Sequence, residues 1–162
     1  MIRPLVPEDA EELTALLVAN RGFTRPFDPD RDDRFYTVAF QERVIRERAN
    51  LYGILDGEAI AGTIALSNVV HGAFRSANLG YWVDEARNGR GLATAAVRDV
   101  VERIAFGELG LHRVEAGTLV ANVGSQRVLE KNRFTRIGLA PRYLHIGGAW
   151  QDHILFQRTT ED

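Results

Sequence analysis

Cysteine is absent from this sequence, which removes disulfide bonds, thiolate metal sites and a cysteine nucleophile from consideration. Histidine is sparse, and the four that occur, His71, His112, His145 and His153, show no HExxH or similar metal-ligand spacing. No apolar run reaches the roughly 20 residues needed to span a bilayer, and the opening MIRPLVPEDA has neither the basic head nor the apolar stretch of a secretory signal. The expected address is the cytoplasm, with no membrane partner. Nor does one sign of charge dominate: a net charge of −2 at pH 7 supplies no overall electrostatic reason to expect direct nucleic-acid binding. Repeats, linkers and low-complexity tracts are also missing.

What remains is 162 residues with 45% apolar content, enough to bury about two-thirds of the unfolded surface around one core, so a single domain over 1–162 is expected. A short strand around Ile2 to Val6 precedes PEDAEELTALLVAN, where Pro7 and acids open an amphipathic helix with Leu13, Leu16, Leu17 and Asn20 on one face. RGFTRPFDPDRDD then reads as a loop, because its prolines and aspartates favour turns. A polar, partly helical stretch runs to about Arg48. LYGILDGEAIAGTIAL is two strands around the tight turn Asp56-Gly57, and a third strand follows from roughly Ala77 to Val83. From Leu92 the period becomes helical through Ala96, Val100 and Ile104, with Gly107 and Gly110 as stop signals. HRVEAGTLV reads as a strand, Asn122 as the N-cap of a helix to about Lys131, and the final strands fall near 134–144 and 151–158. The order implies a mixed α/β fold: a mostly antiparallel sheet of six or seven strands flanked by about four helices.

The sharpest local feature is DEARNGRGLATAAV, which passes through two glycines into a helix. A dinucleotide fingerprint wants its first glycine directly at a strand end within a parallel βαβ unit; here DEARN intervenes and the preceding strands form a meander. No Gly-Lys-Ser/Thr follows, so a P-loop is ruled out. The shared physics survives: a helix N-terminus presents unpaired N–H groups, glycines allow an anion close approach, and Arg87 and Arg90 add positive charge. A pyrophosphate is the natural guest, although two glycines alone also make an ordinary strand-to-helix turn.

NGRGLAT, Asn88 to Thr94, resembles the acetyl-CoA signature Q/R-x-x-G-x-G/A of the GNAT acetyltransferases, with Gly91 and Ala93 in the small-residue places. GYWVDEARNGRGLATAAV followed by LHRVEAGTLVANVGSQRVLEKNRFTRIG is similar to the RimJ/RimL-type branch, the protein N-terminal acetyltransferases of that superfamily. ANRGF and GGAWQDHILF carry the likeness towards both ends. Asn88 departs from the Gln or Arg of the signature, and Arg133 stands where that branch has a glycine closing the helix C-terminus.

The resemblance implies a GNAT fold and an acetyl-CoA-dependent N-acetyltransferase that acts by direct transfer to a primary amine. The cofactor would lie along Tyr81, Trp82 and Val83, with its phosphates over Asn88, Gly89, Arg90, Gly91, Leu92, Ala93 and Thr94, and with Asn122 and Ser125 on its arm. Ser125 is then the expected donor to the sulfur, and Tyr143 its rival; local hydrogen bonding in the first helical turn explains a serine there equally well. Glu115 is the first choice for a base and Asp84 the second, with Asp152 and His153 also available; an ion pair with Arg113 is the ordinary explanation of Glu115. Arg21, Phe23, Phe27, Tyr36 and His71 are the candidate substrate residues, the aromatics being equally suited to packing on the core. An α-amine, with a pKa of about 7.7–8.0, needs less help to deprotonate than a lysine near 10.4. By the resemblance, the acceptor is the N-terminal α-amine of a protein such as a ribosomal one. Small amines, aminoacyl antibiotics and lysines are alternatives within enzymes, and a non-catalytic acyl-CoA sensor or a nicotinamide enzyme outside that class. A homodimer follows by family habit.

Overall fold

The structure, a computed structural model, describes residues 1–160. Seven strands form one sheet: β1 (Ile2–Pro4), β2 (Leu51–Asp56), β3 (Ala59–Val70), β4 (Ser76–Val83), β5 (Arg113–Leu119), β6 (Thr135–Ile146) and β7 (Ala149–Thr159). Their spatial order is β1-β2-β3-β4-β5-β7-β6. Every neighbouring pair is antiparallel except β4 and β5, which run parallel. The Asp56-Gly57 turn joins β2 to β3 as its sequence requires, with Gly57 at φ +65°.

The helices α1 (Ala10–Thr24), α2 (Val38–Glu47), α3 (Leu92–Asp99) and α4 (Val123–Lys131) divide between the two faces of the sheet. Leu13, Leu17 and Ile45 of α1 and α2 bury one face with Leu55 and Ile60 of the β2–β3 hairpin. On the other face Ala96, Val97 and Leu129 of α3 and α4 pack against Ile64, Leu79, Val114 and Phe156. The alternation along β4 assigns Leu79 and Val83 to the α3 side and Trp82 to the α1 side.

Two elements differ from the sequence expectation. Pro7–Asp9 is a short 3₁₀ turn, and α1 then runs on through Arg21, Gly22 and Phe23 to Thr24, where a loop was expected. The buried face of α1 continues through Asn20 and Thr24, and tertiary packing overrides the weak helix propensity of Gly22. The helix after Leu92 ends at Glu108, between the stop signals Gly107 and Gly110, and Gly110 follows its cap at φ +60°; what differs is its geometry. Past Asp99 it widens into π-helical turns over Val100–Glu108, closed by Leu109 N–H donating to Ile104 O at 2.8 Å.

Gly62, opposite Val83, shows how tightly the C-terminal end of β4 is held to β3: a Cβ there would fall 2.1 Å from the carbonyl oxygen of Trp82. After α4, Arg133 adopts φ +62°, the left-handed conformation that commonly ends a helix and that glycine takes without strain. Arg133→Gly is therefore expected to raise stability by about 0.5–1 kcal/mol, the relief of backbone strain less the added freedom of the unfolded chain. A urea unfolding midpoint checks this; a lower midpoint would mean that the arginine side chain is stabilising where it stands.

Candidate active site

The parallel pairing of β4 with β5 lasts three positions, Ser76↔Arg113, Ala77↔Val114 and Asn78↔Glu115. Beyond Asn78 the strands part, while β4 stays paired to β3 up to Val83 and β5 stays paired to β7 up to Leu119. The gap is a cleft of about 590 Å³. Leu79–Val83 floor one side and Ala116–Leu119 the other. Alternate backbone N–H and C=O groups along these unpaired edges face into it.

The glycine turn closes one end. Asn20, buried on α1, clamps it: its Nδ2 donates to Asp84 Oδ1 at 3.0 Å and its Oδ1 accepts from the Glu85 N–H at 2.9 Å. Arg87 Nη1 donates to Ile60 O at 2.8 Å, and Arg90 forks onto Asp56 at 2.6 and 3.2 Å. Gly91 caps α3 at φ +80° without a side-chain bond, and a Cβ on it would project into open space. The first helical hydrogen bond is Ala95 N–H to Gly91 O, so the N–H groups of Leu92, Ala93 and Thr94 have no partner within the helix.

The N-terminal turn of α4 forms the facing wall. Asn122 caps it, its Oδ1 accepting from Ser125 N–H at 3.1 Å, which leaves the amide nitrogen for another acceptor. Ser125 Oγ and Tyr81 Oη lie 2.9 Å apart, and Tyr81 also reaches Ser125 O at 3.2 Å. Burial pushes the Tyr81 hydroxyl up to about 12, the Ser125 hydrogen bond opposing it, so the phenol stays protonated at neutral pH. Thr118 lines the cleft with a buried hydroxyl that has no hydrogen-bond partner among the described residues. The opposite mouth is walled by Phe23, Phe27, Asp28, Leu144, Ile146 and His153.

Residues 1–135 match the family profile described as an acetyltransferase (GNAT) domain. The chain belongs to the GNAT acetyltransferase family. It is 41% identical to a probable N-acetyltransferase, YjcK, of Bacillus subtilis, across 94% of this chain and 89% of that protein. It is 33% identical to the [ribosomal protein uS5]-alanine N-acetyltransferase of Escherichia coli, across 100% of this chain and 88% of that enzyme. Among solved structures, Mycobacterium smegmatis RimJ in complex with CoA-disulfide superposes with a TM-score of 0.91 at 33% identity, covering 98% of this chain and 81% of that one.

GNAT acetyltransferases use acetyl-CoA, and the cleft fits that group. Free N–H groups at a helix start suit a pyrophosphate, the space above Gly91 admits close approach, and an orphan hydroxyl at Thr118 awaits a polar partner. Arg127 and Lys131, one turn apart on α4, line the GNAT cleft beside Arg87. Their i, i+4 spacing was the signal for these two cations in the sequence.

Of the residues expected from sequence, Tyr81, Trp82, Val83, Asn88, Gly89, Gly91, Leu92, Ala93, Thr94, Asn122 and Ser125 all line the GNAT cleft, as do Phe23 and Phe27. Arg90 does not; Asp56 holds it on the outer side of the turn. Glu115 lies outside the lining and pairs with Arg113 at 3.3 Å. Asp84 is also outside it, bound to Asn20 and 3.5 Å from Arg87. Asp152 accepts the Arg142 N–H at 2.8 Å, and Tyr143 packs on the His153 ring 5.5 Å away. Arg21 is turned onto Asp33 and stacks over Tyr36, and neither Arg21 nor Tyr36 lines the cleft. His71 sits in the β3–β4 turn, before the paired start of β4, whereas the cleft opens only at Leu79.

Asp28 had no motif to announce it. Burial pushes its carboxyl up, opposed by the charge of Arg31. A carboxyl raised in the folded state is stabilising while protonated, and that stabilisation is lost as pH rises through its folded pKa. Asp28→Asn, neutral throughout, should therefore be more stable than the parent at pH 7, with the advantage fading as pH falls through the raised folded pKa and gone once pH is below the ordinary aspartate range. Thermal melts across pH check this; an asparagine variant less stable at pH 7 would show that the ionised carboxylate has a structural partner.

Proposed function

We propose that this chain is a cytoplasmic acetyl-CoA-dependent N-acetyltransferase whose acceptor is the N-terminal α-amine of a protein. The observation that carries the reading is the Tyr81–Ser125 hydroxyl pair, which faces the same cleft as the free N–H groups of α3. The relative named a [ribosomal protein uS5]-alanine N-acetyltransferase supports a protein acceptor.

Bound acetyl-CoA supplies an acetyl group activated as a thioester. The chain's own residues then have three tasks. The N–H groups of Leu92, Ala93 and Thr94, with Arg87, Arg127 and Lys131 nearby, hold the phosphates against the start of α3. Asn122 and the edge of β4 would orient the arm, and an inward N–H of that edge would steady negative charge on the acetyl oxygen. Ser125 holds the proton destined for sulfur. When Tyr81 donates to Ser125 Oγ, the serine hydrogen is free to point into the cleft, and Tyr81, protonated at neutral pH, is the reserve behind it.

The acceptor side fits an α-amine for a chemical reason. The two carboxylates outside the cleft are tied into ion pairs, and an α-amine needs only modest deprotonation near neutral pH, unlike a lysine. The apolar residues at the mouth, Phe23, Phe27, Leu144 and Ile146, suit contact with an apolar first side chain of a peptide.

Incubation with acetyl-CoA and an alanine-initiated peptide, read by mass spectrometry, is expected to add one acetyl group at the N-terminal nitrogen and none at a lysine side chain. Acetylation confined to lysine or to small amines contradicts the acceptor assignment. Ser125→Ala should lower kcat by about 10²-fold, with coenzyme A affinity little changed, because a proton donor acts in the transition state.

A further inference from the structure

We propose that Asp28 is the docking residue for the acceptor, its carboxylate receiving a cationic ammonium at the mouth of the cleft. This rests on the reading of the chain as an amine acetyltransferase and specifies how the amine is recognised.

Charge is divided across the cleft. Arg87, Arg127 and Lys131 stand among the lining residues of the turn and α4, whereas Asp28 is the single carboxylate among the lining residues and lies with the loop after α1. The described residues give Asp28 no side-chain hydrogen bond and no ion pair. Its neighbours behave otherwise: Asp30 accepts from Gly148 N–H at 3.1 Å, Asp32 pairs with Arg34 at 2.6 Å and Asp33 with Arg21 at 2.7 Å. A half-buried carboxylate without a partner is costly, and a ligand cation is the partner the cleft can supply.

The seat is fixed from both sides. The Phe27 and Asp28 N–H groups both donate to Thr24 O, at 2.8 and 3.0 Å, which continues the last turn of α1. One residue later Pro29 forms a backbone bridge to Ile146 at the end of β6, and Asp30 bonds the β6–β7 turn. Asp28 is thus held between two anchored neighbours and is not free to swing into bulk water. Phe23 and Phe27, their ring centroids 6.2 Å apart, wall the same mouth and suit a cation, whose charge favours aromatic faces. Across it, His153 Nδ1 meets the Gln151 carbonyl oxygen at 3.0 Å, and since a carbonyl only accepts, Nδ1 carries the hydrogen. In the neutral ring Nε2 is then an acceptor, a second group to which an ammonium can donate. Burial raises the Asp28 carboxyl, the shift expected of an anion that lacks its counter-ion.

The test is calorimetric and does not depend on turnover. With coenzyme A saturating, an alanine-initiated hexapeptide and its Nα-acetylated form are titrated into the parent protein, Asp28→Asn and Asp28→Glu. 2-Phenylethylamine and uncharged 2-phenylethanol form a second probe pair. The expected result is that the parent prefers the free amine by about 10- to 100-fold, the worth of a hydrogen-bonded charge. Asp28→Asn should lose the preference while coenzyme A affinity stays unchanged, and Asp28→Glu should restore part of it. A preference that survives in Asp28→Asn overturns the docking role and leaves the proposed reaction standing. Preference for phenylethylamine but not for the peptide overturns the protein acceptor, and its loss in Asp28→Asn still supports the dock. If the parent distinguishes neither pair, both readings fall.

Discussion

The structure depends on a pairing that stops early. Between β4 and β5 three residues on each strand are matched, and after Asn78 and Glu115 the parallel ladder is abandoned while each strand keeps its other neighbour. Unpaired edges inside a sheet are unfavourable unless something satisfies their N–H and C=O groups. Here the separation is enforced from outside: β3 holds β4 through Gly62, where no side chain fits, and β7 holds β5 up to Leu119. The open edge is then a place for a ligand with amides of its own, and the helix that follows β4 is aimed so that its free N–H groups stand at the end of that edge.

Rigidity of the frame converts this gap into a site. Asn20 joins α1 to the glycine turn with both atoms of its amide, Arg87 and Arg90 bind the turn to the β2–β3 hairpin, and Asn132 ties the end of α4 to Thr94 of α3 through a 3.1 Å bond. The unpaired N–H groups at the start of α3 and the Tyr81–Ser125 hydroxyl pair therefore sit on elements locked to each other, the rigidity that preorganised catalysis requires.

Local chemistry was legible in the sequence and long-range partnership was not. The Asp56-Gly57 turn, the Asn122 cap and the glycines before Leu92 each follow from a few adjacent residues, and the structure has them where the sequence implied. The mixed, mostly antiparallel sheet followed from these signals together with the family resemblance. Carboxylates were different. Glu115 has the partner its alternation with Arg113 suggested, whereas Asp84 looked available because its partner is invisible to spacing: Asn20 lies 64 residues before it. Asp28 looked like a loop aspartate because its seat is made by a contact between residues 118 apart, Asp30 and Gly148. Arg90 looked like a phosphate ligand, yet an aspartate 34 residues earlier holds it outside the cleft. The reach of α1 past Gly22 was likewise decided by packing, through the buried Asn20 and Thr24.

The central claim is that the splayed edge of β4 and the start of α3 together hold the coenzyme. Backbone amide NMR of the protein titrated with coenzyme A tests this residue by residue. The expected result is that the largest shifts fall on Leu79–Val83, Gly89–Thr94, Thr118 and Ser125, with β1 and the β3–β4 turn unmoved. Shifts concentrated away from the cleft, or saturable binding that leaves Leu92, Ala93 and Thr94 unperturbed, would contradict it.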